Sequence, residues 1–249
     1  MDVAARAREF VRVAGPDAAD YLQRMVSNDV EALEPGEACP ALLLTAKARV
    51  IAPVVVLRRA DDDFLLLTEP GLGDVVRTQL TRMRLRAQCE IEREAHESVL
   101  LFGGVDGFAT DWPGAREALD TGLEPTLSQD ELELFRIESG VPRWGHEIDD
   151  RILPAEAGLD KTHVSFSKGC YPGQEPIARL HFRGHPNRGL RVLELDELPD
   201  RNVPLLHDGR EVGRVTSAAP RDDGTVVALA YVRTEVPDDA PLALAARAG

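Results

Sequence analysis

The apolar residues of this 249-residue chain occur in short runs that end at Gly, Pro or Asp turns. Residues 41–45, 50–57 and 64–68 are such runs, and an acidic turn separates the last two. Runs of this length that are rich in branched side chains are typical of paired strands. None approaches the roughly 18 uncharged apolar residues that a membrane-spanning helix needs. The pattern therefore predicts an α+β fold and a protein with no membrane partner.

Helical periodicity interrupts the strand pattern at three places. Apolar residues at helical spacing follow Pro16, and a second helical segment covers residues 72–85. Ser128 and Glu131 form a capping box that begins a third helix. Residues 103–125, which contain several Gly and Pro, are expected to form a connection.

The pattern changes again beyond Pro186. Short alternating segments at residues 190–195, 211–215 and 225–232 are separated by Asp-Gly and Pro-Asp turns. Such segments predict a small all-β module at the carboxy terminus. A chain of this length is expected to contain two or three modules.

Charge is distributed unevenly along the chain. The net charge is −14, yet residues 161–191 contain six basic residues and one acid, so this segment is +5 and the rest is −19. An acidic protein does not fit duplex nucleic acid as a direct partner, because backbone phosphates need clustered Lys and Arg. The basic segment is either a solvated face that compensates nearby carboxylates or a site for a small anion.

The cysteines and histidines bear on compartment and metal content. Cys39, Cys89 and Cys170 form neither a disulfide framework nor a C-x-x-C metal site, so reduced thiols and a cytoplasmic location are expected. Cys39 and Cys89 lie in apolar sequence and are expected in the core. His181 and His185 have the spacing of helical metal ligands, but a Gly and a Pro interrupt any helix there, and no metal site is expected.

Cys170 stands apart because it lies in a tight turn, in the run Lys-Gly-Cys-Tyr-Pro-Gly-Gln-Glu of residues 168–175. Residues 174–180 are expected to form a short helix directly after it. A helix start and the ammonium of Lys168 both favour the thiolate, which is the nucleophilic and metal-binding form of the side chain. The alternative is a buried turn cysteine flanked by glycines for steric reasons, and composition does not decide between the two.

A second cluster occupies residues 136–147, where a helix end meets a turn that contains Gly and Pro. Glu138 and Glu147 could accept hydrogen bonds from paired N–H donors, as on an aminopyrimidine ring, and Trp144 could stack on a flat heterocycle. The alternative is a surface pair between Arg136 and Glu138 and a tryptophan in the core.

At these two clusters the chain resembles a known family, the folate-binding YgfZ proteins, which are related to the T-protein aminomethyltransferase of the glycine cleavage system. The run from Lys168 to Glu175 is similar to the YgfZ signature, with Pro172 at a position often occupied by Thr, and T-proteins lack the cysteine. The resemblance extends over nearly the whole chain. The segments that carry it are residues 23–30, 47–50, 136–147, 153–159, 168–175 and 209–217.

The resemblance implies a ring of three domains around a tetrahydrofolate cavity. Residues 1–45 plus 126–185 would form a discontinuous folate-binding domain, residues 46–125 a ferredoxin-like α+β middle domain, and residues 186–249 a small carboxy-terminal β-barrel. It also implies a role in assembling or maintaining iron–sulfur enzymes, with links to tRNA modification. The implied partners are a small-molecule folate and iron–sulfur client proteins.

For the site, the resemblance implies that Cys170 and Lys168 are the reactive pair. It implies that Glu138 and Glu147 hold the pterin end of tetrahydrofolate, or of a one-carbon derivative, and that Arg188 holds its anionic tail. The further candidate folate contacts, in the same segment as the two acids, are Arg136 and Trp144.

One departure from the T-protein separates two hypotheses. Its catalytic aspartate aligns near Ala52 and Pro53, where this chain has no acid. An amine is not steered or deprotonated there by a carboxylate, so the glycine-cleavage reaction is not expected. The second hypothesis is a folate-dependent aminomethyltransferase or demethylase in which Glu138 or Glu147 replaces the aspartate. A third is a folate-sensing scaffold whose cysteine is structural.

Overall fold

Residues 1–245, which a computed structural model describes, form three sheets and four α-helices. The mixed α and β content predicted from the sequence is confirmed. The helices are α1 Ala18–Met25, α2 Gly73–Met83, α3 Gln129–Glu138 and α4 Gln174–Arg183. The strands are β1 Asp2–Ala5, β2 Glu9–Ala14, β3 Ala38–Leu44, β4 Val50–Ala60, β5 Asp63–Thr68, β6 Glu90–Glu94, β7 Ser98–Phe102, β8 Phe108–Ala109, β9 Ala115–Leu119, β10 Arg188–Leu195, β11 Pro204–His207, β12 Arg210–Pro220, β13 Val226–Arg233 and β14 Ala243–Leu244. None of these helices is long and apolar enough to cross a membrane.

The first sheet has the strand order β3-β4-β5-β2-β6, and all neighbouring strands are antiparallel. The three apolar runs of the sequence form its strands β3, β4 and β5, as predicted. The domain boundary predicted after residue 45 falls between β3 and β4, which pair directly in this sheet.

Both faces of the first sheet are buried at β3, β4 and β5, which explains why these three strands are apolar over most of their length. Val54 and Val56 of β4 pack into a core with Leu22 of α1 and Leu80 of α2. The alternate residue Val55 faces the opposite core, which includes residues of the second sheet.

The second sheet has the order β1-β7-β9-β8, again antiparallel. Because β8 and β9 lie within residues 103–125, the expectation that this stretch is only a connection is wrong. β8 has two residues, and the one buried member of β9 is Glu117. Neither strand therefore carries the apolar run that would mark it in the sequence.

The third sheet has the order β10-β13-β12-β11-β14. The three strands predicted beyond Pro186 are confirmed as β10, β12 and β13. The outer strands β10 and β14 are not paired with each other within residues 1–245, so closure into a barrel stays a prediction.

Helix α3 connects the third sheet to the rest of the molecule. It begins at the predicted capping box, in which the Ser128 hydroxyl accepts from the Glu131 N–H at 3.2 Å and the Glu131 carboxylate accepts from the Ser128 N–H at 2.8 Å. Near its other end, Ile137 is fully buried against Val227 and Leu229 of β13. This packing fixes the helix that forms one wall of the site described next.

Candidate functional site

A cavity of about 560 Å³ lies where the first two sheets meet α3. Its wall is formed by the link between β1 and β2, the end of β5, the turn between β8 and β9, α3 itself and the loop of residues 141–146. Small-molecule sites have volumes of roughly 300 to 1,000 Å³, so the cavity is large enough for a ligand. Its charged and aromatic lining includes Arg6, Glu69, Trp112, Glu133, Arg143 and Trp144.

The α3 side of the cavity is an ion-pair network around Glu133. Its two carboxylate oxygens accept from Nε and Nη2 of Arg136 at 2.9 Å each, and one also accepts from Nη1 of Arg143 at 3.0 Å. Burial raises the pKa of Glu133, but the hydrogen bond and charge of Arg136 outweigh that effect and place the pKa below its usual range. Glu133 is therefore an ionised carboxylate whose oxygens are already engaged.

Arg143 brings an unpaired donor to the cavity wall. Its Nε atom is buried and has no hydrogen-bond partner in the described part of the chain. The same guanidinium donates to the ring of His146, with Nη2 and Nε2 3.0 Å apart. Burial, assisted by the charges of Arg143 and Arg201, lowers the pKa of His146, which is consistent with a neutral ring that accepts this bond.

Glu147 lies behind this wall and does not line the cavity. Its side chain is fully buried and accepts from Arg136 Nη1 at 3.1 Å, from the backbone N–H of Arg143 at 3.0 Å and from the Ser217 hydroxyl at 2.7 Å. The three donors belong to α3, to the loop and to β12. Glu147 thus joins three elements and holds Arg136 in place.

The opposite side of the cavity rests on a buried charge cluster. Arg6 and Arg8 both pair with Asp111 and Glu117 at 2.8 to 3.2 Å. Burial raises the pKa of each acid, but the two guanidinium groups outweigh it, so the pKa of Asp111 lies well below its usual range and that of Glu117 falls to about 2. Glu69 is 3.6 Å from both arginines, which is beyond hydrogen-bond distance.

Two indole rings complete the lining. The guanidinium of Arg6 lies 5.4 Å from the ring centroid of Trp112, and Phe135 of α3 stacks on the same tryptophan with the ring centroids 6.0 Å apart. Trp144, in the loop after α3, packs against the cores on both sides of it. The cavity therefore combines flat apolar surfaces with fixed charges.

Cys170 lies on an exposed loop outside the cavity lining, and Lys168 anchors this loop. The Lys168 Nζ atom donates to the backbone carbonyls of Gln23, Val26 and Asn28 at 2.6, 2.8 and 2.7 Å, at the carboxyl end of α1. Burial lowers the pKa of Lys168 to about 8. Neither a hydrogen bond nor an ion pair joins Lys168 to Cys170 within residues 1–245.

The loop is anchored on the other side of the cysteine as well. Tyr171 is buried in the core that contains Ile177 of α4. Gly173 has a φ of 84°, and a Cβ at this position would lie 2.6 Å from the carbonyl oxygen of Thr45 in the β3–β4 turn. The close approach and the left-handed backbone both require glycine. The helix expected after Cys170 is confirmed as α4, although its N-cap is Gly173 rather than the cysteine.

Known proteins match this sequence and this fold. The family model for the GCVT N-terminal domain matches residues 3–104. The tRNA-modifying protein YgfZ of Klebsiella pneumoniae (strain 342) is 26% identical over an alignment that covers 91% of this chain and 83% of that protein. The sequence and the fold of this chain are therefore YgfZ/GcvT-like.

Other proteins that are similar to this chain carry a different name. An aminomethyltransferase of Lysinibacillus sphaericus is 24% identical over 83% of this chain and 71% of that protein. The crystal structure of the glycine cleavage system aminomethyltransferase T from Bartonella henselae superposes with a TM-score of 0.84, covering 99% of this chain and 82% of that one. At 17% identity, this likeness shows a shared fold.

In this YgfZ/GcvT-like chain, the structure brings two of the five predicted folate contacts to the cavity, namely Arg136 and Trp144. Glu138 lies outside the lining, where it accepts from Nε of Arg221 at 2.6 Å. Arg188 is also outside it. Its Nε donates to Glu156 at 2.9 Å, and its guanidinium lies 4.8 Å from the ring centroid of Tyr231.

Sequence reasoning missed much of the cavity of this YgfZ/GcvT-like protein because its residues are far apart in the chain. Arg6, Glu69 and Glu133 are single charged residues with no motif around them. One signal was present, since the chain has two tryptophans and both line the cavity. Trp112 could therefore have been predicted as a stacking partner on the same grounds as Trp144.

Proposed function

We propose that this chain binds tetrahydrofolate, or a one-carbon derivative of it, in the cavity beside α3. We further propose that Cys170 acts in the assembly or maintenance of iron–sulfur proteins, among them enzymes of tRNA modification. The observation that carries the proposal is a ligand-sized cavity lined by two tryptophans and fixed charges in a YgfZ/GcvT-like chain. The relatives named tRNA-modifying protein YgfZ support the link to tRNA.

The chemistry of the cavity fits a pterin ring. Trp112 and Trp144 offer flat faces for stacking, which a fused heterocycle can use. The unpaired Nε–H of Arg143 suits an acceptor on the ring, because a buried donor without a partner is costly until a ligand fills the position. Fixed ion pairs behind these groups mean that little has to be ordered on binding.

The thiol part of the proposal rests on the loop that carries Cys170. The side chain is exposed, while Lys168 and Tyr171 on either side of it are buried. A thiol held at the surface suits thiol exchange with, or transient ligation of a cluster on, another protein, since such a partner approaches from solvent. The cavity and the thiol would then have separate tasks, one for folate and one for the client.

Calorimetric titration with tetrahydrofolate and 5-formyltetrahydrofolate under reducing conditions tests the folate proposal. Wild type and Cys170→Ala should bind equally well, because the thiol is outside the cavity. Trp144→Ala should bind about tenfold more weakly, as expected for a lost stacking partner. Glu138→Ala is the matched control, because this residue lies outside the lining and should bind as wild type does. An absence of binding by wild type would contradict the proposal.

Complementation tests the role of the thiol. In a strain that lacks the gene, Cys170→Ala should fail to restore the nucleosides made by iron–sulfur-dependent tRNA-modifying enzymes. Cys39→Ala should restore them, since burial raises the pKa of Cys39 to about 12 and keeps this thiol protonated. Full restoration by Cys170→Ala would rule out a functional thiol.

A second candidate is a folate-dependent aminomethyltransferase or demethylase, which the relatives named aminomethyltransferase favour. Neither of the two carboxylates considered for this reaction, Glu138 and Glu147, lines the cavity. Glu147 is fully engaged behind the wall, and Glu138 faces the third sheet. Turnover of 5,10-methylenetetrahydrofolate with methylated amine donors would establish this activity, and we expect none with glycine-derived donors.

A further inference from the structure

Glu69 lies beside Pro53, near the position where the T-protein has its catalytic aspartate and this chain has no acid. Antiparallel pairing puts Thr68 of β5 opposite Val54 of β4, and the Thr68 hydroxyl donates to the Pro53 carbonyl at 2.8 Å. Glu69 is the next residue after Thr68, so the chain leaves the sheet beside Pro53. The carboxylate missing from β4 is thus matched by one from the neighbouring strand, and this one lines the cavity.

The Glu69 side chain is largely buried, yet its oxygens are open. It is 19% exposed, and Arg6 and Arg8 lie 3.6 Å away. Within residues 1–245, the Glu69 carboxylate accepts no hydrogen bond, whereas Glu133 across the cavity accepts three. Asp130, which also lines the cavity, is exposed to solvent on the first turn of α3.

A partly buried carboxylate with open oxygens is a strong acceptor for a ligand. The side chain is 19% exposed and no protein donor within residues 1–245 bonds its oxygens, so an N–H group that arrives with a ligand makes a favourable charge-assisted bond. Two adjacent N–H groups, as on an aminopyrimidine edge, match the two oxygens of one carboxylate. The arginines at 3.6 Å place positive charge beside the carboxylate without occupying these positions.

We propose that Glu69 receives the N–H edge of the heterocycle that binds in this cavity, and so determines which ring is accepted. This inference rests on the proposed function, because it names the group that recognises the pterin. It also replaces Glu138 and Glu147 as the acids for that contact. Glu69 is a binding residue in this role and needs no step of bond making.

Titration of wild type and Glu69→Gln with two ligands tests the inference. The ligands are tetrahydrofolate and its 2-desamino-2-methyl analogue, which lacks the exocyclic N–H donors. Loss of a charge-assisted bond predicts that Glu69→Gln binds tetrahydrofolate roughly 10- to 100-fold more weakly than wild type does. Wild type should bind the analogue more weakly by a similar factor, and Glu69→Gln should bind the two ligands about equally.

Asp130→Asn is the matched control, because it removes a carboxylate from the same cavity at an exposed position. It should bind tetrahydrofolate within about twofold of wild type. Glu69→Gln should remain folded, since Arg6 and Arg8 keep their closer bonds to Asp111 and Glu117. The wild-type comparison of the two ligands needs no variant and stands even if a variant is unstable.

Three results would overturn the inference. Equal binding of tetrahydrofolate by wild type and Glu69→Gln would refute Glu69 while the folate proposal stands. An equal loss for both ligands in Glu69→Gln would show a general effect on the cavity instead of recognition of N–H donors. No binding of tetrahydrofolate by wild type would refute both the inference and the proposed function.

Discussion

Replacing Glu147 by Gln should destabilise the protein more than any change of a surface carboxylate. The substitution removes a fully buried charge that accepts from Arg136, from the backbone N–H of Arg143 and from Ser217. Breaking a buried pair from one side costs about 3 to 5 kcal/mol. Arg136 keeps its bidentate contact with Glu133, so we expect the lower value, about 3 kcal/mol in the free energy of unfolding.

Urea denaturation and calorimetry measure this loss directly. For a chain of this size, about 3 kcal/mol corresponds to a fall in Tm of roughly 6 to 12 °C. Glu138→Gln is the matched control, because it is also a glutamate paired with one arginine but lies at the surface. Exposed ion pairs contribute little, so its Tm should stay close to that of wild type.

A small effect of Glu147→Gln would refute the structural role assigned to this residue. If the variant kept the stability of wild type and lost tetrahydrofolate binding, Glu147 would be a ligand contact, as the sequence alone implied. If Glu138→Gln destabilised as strongly, burial would not be the cause. The two glutamates of one sequence cluster are therefore expected to behave differently for a reason that only the fold provides.

Three further outcomes follow from other parts of the structure. Burial lowers the pKa of His163 to about 4, so the unfolded chain takes up a proton below pH 6.5 before the folded chain does. Urea denaturation should show this group costing about 3 kcal/mol of stability between pH 6.5 and 4, and His163→Gln should remove that loss. Gly173→Ala should lower Tm further than Gly209→Ala in thermal unfolding, since both have positive φ but a Cβ clashes with a carbonyl at the first position only. Lys168→Met should lower Tm, because the ammonium is hydrogen-bonded to three carbonyls at the end of α1. For the same reason, the rate at which Cys170 reacts with a thiol reagent at pH 7 should change less than about threefold in this variant. A larger change in that rate would contradict the anchoring role of Lys168.

The fold was predictable where a segment carried its own hydrophobic pattern. The runs that became β3, β4 and β5 are buried on both faces, and the capping box of α3 is a local arrangement of two residues. β9 was not predicted, because its buried residue is Glu117. This carboxylate is paired with two arginines that lie about a hundred positions away in the sequence. A buried ion pair leaves no apolar signal in the sequence.

The candidate site was predictable in part for the same reason. Residues 136–147 attract attention because several functional side chains are adjacent in the chain, but adjacency does not decide which of them face the cavity. Arg136 and Trp144 line it, whereas Glu147 turns into the protein and Glu138 turns to the third sheet. Those directions depend on how β12 and β13 pack against α3, which no local pattern records.

If the cavity binds the proposed ligand, its selectivity follows from the division between side chains that already have partners and those that do not. Arg6, Arg136 and Glu133 are each held by two or more partners, so they shape the wall and hold their positions before a ligand arrives. Ordering these long side chains in advance lowers the entropic cost of binding. The Glu69 carboxylate accepts no hydrogen bond from residues 1–245, and the Arg143 Nε donor has no partner there. A ring that presents N–H donors to the first and an acceptor to the second fits this arrangement, whereas a ligand with either function missing leaves a buried polar group unpaired and is disfavoured.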